Sequence, residues 1–254
     1  MQCKIKLYQF GIIIVASLTF ASSVTHAQCK PGDILIGEDA NYYYCASPAS
    51  KDEIKSIAKK LDKIRREGPK HLLGEELRFR KATFDTLGCL ARKQSPYVFG
   101  AKIVFPAECA NSLNWDLPVD CSGAIAYASR FAAFFVSGFY RDEFNTLRGL
   151  HTDAAGQALL FKTKKAFIPR WGNPSAGDVI FFEQTYDKDG NGVVDKRDGI
   201  THVGIYLGTS RDGKKLIIHA SSRARKVVFS KISKGFEKKL AGYGNISRLY
   251  MNVK

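Results

Sequence analysis

The stretch whose reading decides the fold is His202–Ala220, HVGIYLGTSRDGKKLIIHA. Residues 202–208 and 215–220 both read as strands: short apolar runs rich in β-branched and aromatic residues. His202 opens the first, and Gly204 and Tyr206 share its face by the period of two. His219 lies near the end of the second. Consecutive strands that pair can bring the two histidines together. Residues 178–183, 226–230 and 246–251 read as further strands. Helices come earlier. Ser50 and Glu53 make a capping box before Ile54, Ile57, Ala58, Leu61 and Ile64 on one helical face, and Gly68-Pro69 ends that helix. Its opposite, Lys/Arg-rich face reads as solvated. Residues 75–92 form a second helix with Leu77, Phe84, Leu87 and Ala91 on one side. A long irregular link, 94–119, leads to a third helix over 121–136, with Asp120 as N-cap and Ile125, Ala128, Ala132 and Phe135 on one face. Helices first and strands afterwards predict an α+β fold, a helix packed on an antiparallel sheet.

The chain has 254 residues, 45% hydrophobic and 25% charged, which excludes a disordered chain. Residues 1–27 read as a secretory signal: Lys4 and Lys6, an uncharged apolar stretch over 10–24, then Thr25-His26-Ala27 before the cleavage point. Gln28 before Cys29 argues against lipidation, and no stable membrane span is expected after cleavage. The expected location is therefore periplasmic or secreted. Lys+Arg number 39 against 24 Asp+Glu, a net charge of +15. Residues 211–254 hold twelve Lys/Arg against two Asp/Glu. With an export signal and no nucleic-acid motif, the partner this charge points to is anionic envelope material, not nucleic acid.

Of six cysteines, signal cleavage removes Cys3 and leaves five. Cys29 and Cys45 bracket a Gly/Asn-rich turn between two strand-like runs and can pair within a hairpin over 28–48. Cys89 and Cys109 bracket a closable loop containing Pro96, Gly100 and Pro106. Each bridge would contribute about 3 kcal/mol by loop entropy. Cys121 is left over, at the start of the third helix. A thiol left unpaired in an oxidising compartment points to chemistry, and a helix N-terminus favours the thiolate. The chemistry also needs a base and a group that orients it. Of the mature chain's four histidines, His71 and His151 sit in polar, loop-like stretches, which leaves His202 and His219. Neither a His-Glu-x-x-His zinc helix nor a Gly-x-Ser-x-Gly elbow is present.

Four motifs in order resemble one family: Asp120-Cys121-Ser122-Gly123, Pro174-Ser175-Ala176-Gly177-Asp178-Val179-Ile180-Phe181-Phe182, His202-Val203-Gly204-Ile205-Tyr206-Leu207-Gly208 and Ile218-His219-Ala220-Ser221. They resemble the NlpC and p-sixty cell-wall cysteine peptidases, papain-like in fold, over roughly residues 92–251. The resemblance implies Cys121 as nucleophile, His202 as base and His219 as its orienting partner. Tyr97-Val98-Phe99-Gly100 resembles an upstream family motif whose tyrosine lines the active site. Tyr97, Asp120 and Ser122 are therefore candidates for substrate binding or oxyanion support. The implied activity is an exported endopeptidase cutting peptidoglycan stem peptides at the D-γ-glutamyl–diamino acid bond, with no cofactor for catalysis. Ala101, Ala124 and an insertion over 183–201 depart from the family pattern and bear on substrate preference. The expected organisation is a signal peptide (1–27), a disulfide-closed hairpin (28–48), a helical region (49–91) and a catalytic domain (92–254).

The insertion carries its own pattern. Asp187, Asp189, Asn191, Gly192, Val193, Asp195 and Asp198 fall at positions 1, 3, 5, 6, 7, 9 and 12 of an EF-hand-type loop. Asp187, Asp189, Asn191, Val193, Asp195 and Asp198 are the ligand candidates for a structural calcium ion. Two other readings of the chain stand beside the endopeptidase: an amidase, acyltransferase or transglutaminase-like effector using the same Cys121, and a non-catalytic wall-binding module docking its basic surface on anionic polymer. The N-terminal region could also serve an inhibitor, immunity or activator protein.

Overall fold

The computed structural model describes residues 34–38, 43–48, 52, 59, 72–101, 118–137 and 149–251. Eight strands form one sheet: β1 (Ile34–Glu38), β2 (Tyr43–Pro48), β3 (Phe167–Pro169), β4 (Val179–Glu183), β5 (Ile200–Thr209), β6 (Lys215–Ser221), β7 (Lys226–Ile232) and β8 (Leu240–Gly244). Their order across it is β1-β2-β7-β6-β5-β4-β8-β3. Every strand pair is antiparallel. Five α-helices are delimited among the described residues: α1 (Leu72–Arg92), α2 (Cys121–Ser137), α3 (Ala154–Thr163), the single-turn α4 (Lys234–Glu237) and α5 (Ile246–Met251). The expected α+β architecture is what forms.

One face of the sheet packs under the helices. Val203, Ile205 and Leu207 of β5 and Leu216, Ile218 and Ala220 of β6 join Phe79, Leu87 and Leu90 of α1 and Ala124, Ile125 and Ala128 of α2 in one buried cluster. The alternate residues meet a smaller cluster on the other face, with Phe182, Tyr206, Ile217, Phe236 and Tyr243. The strict period of two in β5 sorts its side chains between these two cores. Helix α2 is more deeply embedded than a one-faced helix. Residues 122–129 are all buried, as expected of a helix enclosed on every side.

The hairpin expected over 28–48 exists as β1 and β2, and it is not an appendage. Ala46, Ser47 and Pro48 of β2 pair with Ile232, Lys231 and Ser230 of β7, extending the main sheet. Cys29 lies outside the described residues, as do the side chain of Cys45 and most of the helix expected over 50–67. Cys89 is disulfide-bonded; its expected partner, Cys109, also lies outside them.

Helix α1 is likewise part of the core. Its Arg80 is 4% exposed and its Nη1 lies 2.5 Å from Asp178 Oδ1, itself 1% exposed. Asp178 Oδ2 also accepts the Ser175 amide, at 2.7 Å. This pair ties α1 to the turn that launches β4.

The expected strand over 246–251 is instead α5. Asn245 caps it, its Oδ1 accepting from the Arg248 amide at 2.7 Å. Ile246, Leu249 and Tyr250 are buried in the helix-side core. Those positions fall at i, i+3 and i+4, so the helical period wins over alternation once a cap is present. Tyr250 stacks on Phe79 of α1 with ring centroids 4.5 Å apart.

Candidate active site

Asp120 builds the start of α2. Its Oδ1 accepts the Gly123 amide and, at 3.0 Å, the Ser122 hydroxyl. Its own amide donates to the Ala101 carbonyl at 3.0 Å. The cap is crowded: a Cβ on Gly123 would lie 2.3 Å from Ala101 O, so only glycine fits here. Asp120 and Ser122 are 7% and 2% exposed. Both side chains serve the cap, which places Cys121 in the first turn. Cys121 is half-buried and not in a disulfide.

Tyr97 reaches this corner through backbone pairing. Its amide donates to Arg225 O, and the neighbouring Val98 amide donates to Val119 O. Burial raises the Tyr97 phenol well above its usual range, and negative charge on Cys121 and then Asp120 raises it further. The insertion sends in a second phenol. Burial raises Tyr186 also, with Cys121 the next contributor. Tyr186 packs edge-on against Phe99, centroids 6.4 Å apart. Both rings are exposed, Tyr186 at 38% and Phe99 at 75%.

The histidines form a separate row. His202 Nε2 lies 2.7 Å from His219 Nδ1, and His219 Nε2 lies 3.2 Å from Ser230 Oγ. The first contact is the juxtaposition expected from the two strands. His202 pairs across strands with Phe182 of β4. Gly204 makes room for the row: a Cβ there would lie 2.9 Å from Ile218 O and 3.0 Å from His219 Cβ. Asp120 couples the row to the Cys121 corner. Burial pulls the His202 imidazole down to about 4, and the Asp120 carboxylate acts against that fall. His219, 1% exposed, is lowered too, by burial and then by His202.

These shifts set a pH dependence. A histidine lowered by folding binds fewer protons than it does unfolded, where it titrates near 6.5. Stability is therefore full above pH 6.5 and is lost as the pH falls toward and through 4. Thermal unfolding followed from pH 7.5 to 4 is expected to show this loss. A His202→Asn, His219→Asn double variant should show a flatter profile over the same range; an unchanged slope would assign the loss to other groups.

In the insertion, Asp187, Asp189 and Asp198 bring one carboxylate oxygen each to within 4.8 Å of one another. Asp187 also accepts the Gly190 and Gly192 amides at 2.8 and 2.7 Å. Asp198, 3% exposed, accepts the Lys188 amide at 2.6 Å. Asp195 is turned to Arg197, with contacts of 3.0 and 2.7 Å. Asn191 Oδ1 accepts the Val193 amide at 2.8 Å. The structure thus gathers carboxylate oxygens of Asp187, Asp189 and Asp198.

Sequence reasoning missed three residues here. Ser230 is a polar side chain at an inward position of an apolar strand, and that inward polarity was the available signal. Gln157 of α3 is fully buried, its Nε2 donating to Ser122 O at 2.8 Å and to Leu150 O at 2.7 Å. Nothing in the local pattern marks Gln157 or Tyr186.

A half-buried thiol opening a central helix, against an antiparallel sheet that carries paired histidines, is a papain-like arrangement. The NlpC/P60 family model matches residues 94–244, and the chain belongs to that family. Among solved structures it is similar to an N-acetylmuramoyl-L-alanine amidase from Bacteroides uniformis ATCC 8492, at 18% identity over 66% of this chain and 97% of that one, with a TM-score of 0.32. No curated protein matches. Among the described residues, no helix is long and apolar enough to cross a membrane.

Proposed function

We propose that the protein is an exported cysteine endopeptidase acting on peptidoglycan stem peptides, at the D-γ-glutamyl–diamino acid bond. One observation carries the reading: the span matched to the family contains both the Cys121 helix start and the hydrogen-bonded His202–His219 pair. The reading assigns Cys121 as nucleophile, His202 as acid and base through Nδ1 (the nitrogen not engaged by His219), and His219 as the group orienting His202.

The steps follow from those roles. His202 takes the thiol proton, and Cys121 Sγ attacks the amide carbonyl carbon. The Cys121 backbone N–H helps hold the oxyanion, with Tyr97 beside it. The C–N bond breaks as the imidazolium returns its proton to the leaving amine, which leaves a thioester. Water, deprotonated by His202, then attacks the thioester and releases the acid and the thiol. No cofactor enters these steps. The test is mass spectrometry of purified peptidoglycan after incubation with the disulfide-intact protein. Peptide fragments heavier by one water than the intact linkage support hydrolysis and name the bond. Acyl transfer to an amine, without water, would replace this reading with a transferase. Binding to the wall without any product would replace it with a docking module.

The reading includes a calcium ion in the insertion. The clustered oxygens of Asp187, Asp189 and Asp198 support it, as does the Asp-x-Asp-x-Asn-Gly order of the loop. Calcium would tie the loop leading into β5. Calorimetric titration is expected to show one site, with a dissociation constant on the order of 10⁻⁴–10⁻³ M if it behaves as extracellular sites do. Asp187→Asn should abolish the heat. A wild type silent at millimolar calcium sinks the assignment.

A further inference from the structure

The sheet face that carries the two histidines holds one more polar group in line with them. Ser230, in the middle of β7, is fully buried, and so is His219 at 1% exposure. The row runs from His202 Nε2 to His219 Nδ1 at 2.7 Å, and from His219 Nε2 to Ser230 Oγ at 3.2 Å. Phe182 of β4 lies beside His202, ring centroids 6.1 Å apart, and carries no charge. Asp120 is the charged group that acts on His202, and His202 is the one that acts on His219.

A neutral imidazole has one donor nitrogen and one acceptor, and a hydroxyl can play either part. Two proton arrangements therefore satisfy the row. In the first, His219 Nε2–H donates to Ser230 Oγ, and His219 Nδ1 accepts from His202 Nε2–H. In the second, the Ser230 hydroxyl donates to a bare His219 Nε2, and His219 Nδ1–H donates to His202 Nε2. The two differ in what they allow at His202. The first leaves His202 Nδ1 bare and able to take a proton. After it does so, both of its N–H groups keep their places, because Nε2–H still points at an acceptor. The second puts the proton on Nδ1 from the start. Protonating Nε2 would then set two N–H groups against each other at 2.7 Å.

We infer that Ser230 is a positioning residue, accepting the His219 Nε2–H bond and so holding His219 in the tautomer whose Nδ1 supports His202. The inference rests on the proposed role of His202 and extends it one strand further, to a Cys-His-His-Ser relay. Ser230 does not touch substrate. It acts by giving the buried His219 Nε2–H an acceptor, without which that donor would be left unpaired.

Long-range ¹H–¹⁵N correlation spectra of histidine-labelled protein read the tautomer directly. The wild type is expected to show His219 protonated at Nε2 and bare at Nδ1. Ser230→Ala should shift His219 to a mixture of tautomers, and Ser230→Thr should restore the wild-type pattern. In turnover, Ser230→Ala should lose about tenfold in kcat/KM, the scale of one neutral hydrogen bond. Its alkaline limb should move to lower pH, because the His202 imidazolium has lost support, and threonine should rescue both effects. A wild-type His219 protonated at Nδ1 overturns the inference. So does an alanine variant whose His219 tautomer is unchanged. If the alanine variant fails to fold, Ser230→Cys, close in volume and a weak acceptor, takes its place and should likewise give mixed tautomers. The tautomer needs no turnover to be read, so a protein that hydrolyses nothing leaves this test intact. Undiminished turnover in His202→Ala would instead remove the base assignment on which the relay rests.

Discussion

Cys121→Ala is expected to abolish release of peptide fragments from peptidoglycan, lowering kcat on the order of 10⁴-fold or more. Losses of that size accompany removal of a nucleophile from a unit that works as a whole. The fold should survive. The first turn of α2 is held by Asp120 through its bonds to Ser122 and Gly123. Thermal unfolding close to wild type beside absent turnover would therefore assign the loss to chemistry. Cys121→Ser should be comparably inactive, since a hydroxyl supplies no thiolate. Fragments released by the alanine variant at the wild-type rate would place the nucleophile elsewhere.

Arg80→Ala is expected to be the most damaging change outside the proposed catalytic residues. The guanidinium lies against a carboxylate that is 1% exposed. Burial pushes the Asp178 carboxyl above its usual range even with Arg80 beside it. Removing the cation leaves a buried charge without compensation, at about 3–5 kcal/mol. For a domain of this size that lowers Tm by roughly 10 °C. Calorimetry would read it. The Arg80→Met, Asp178→Leu double variant should recover most of the loss, because two apolar side chains carry no desolvation cost. A double variant as unstable as Arg80→Ala would refute the ion-pair account. Since Arg80 precedes the span matched to the family, the same measurement tests whether α1 belongs to the catalytic unit.

The parts that could be read from the sequence were those where local chemistry and global packing agree. Alternation in β5 and β6 sorted their side chains between two cores, and His202 and His219 met as the strand period allows. The Asp120 cap and the helix after it were visible for the same reason. Helix α3 was not, because its pattern is inverted: Gln157 is fully buried, whereas Leu159 is 64% exposed. A buried glutamine bonded to two carbonyls is a tertiary fact with no periodic signature. Strand β8, Leu240-Ala-Gly-Tyr-Gly, offers only Leu240 and Tyr243 as bulky residues. It is held by hydrogen bonding to β4 on one side and β3 on the other. Residues 246–251 satisfied two periods at once, and the Asn245 cap decided between them. Tyr186 shows the limit most plainly: its packing against Phe99 is set by the path of the insertion, which no spacing encodes.

The pairing of β2 with β7 has a kinetic consequence. It joins residues near the beginning of the described chain to residues near its end, Ala46 to Ile232. Contacts so distant in sequence form late, since the intervening chain must be ordered before they can reward the closure. The hairpin of β1 and β2 is made early in synthesis, but its pairing with β7 must wait for the last strands. Until β7 arrives, the outer edge of β2 stays open to water or to other chains. A chain built this way reaches its stable state only once its last strands have been made.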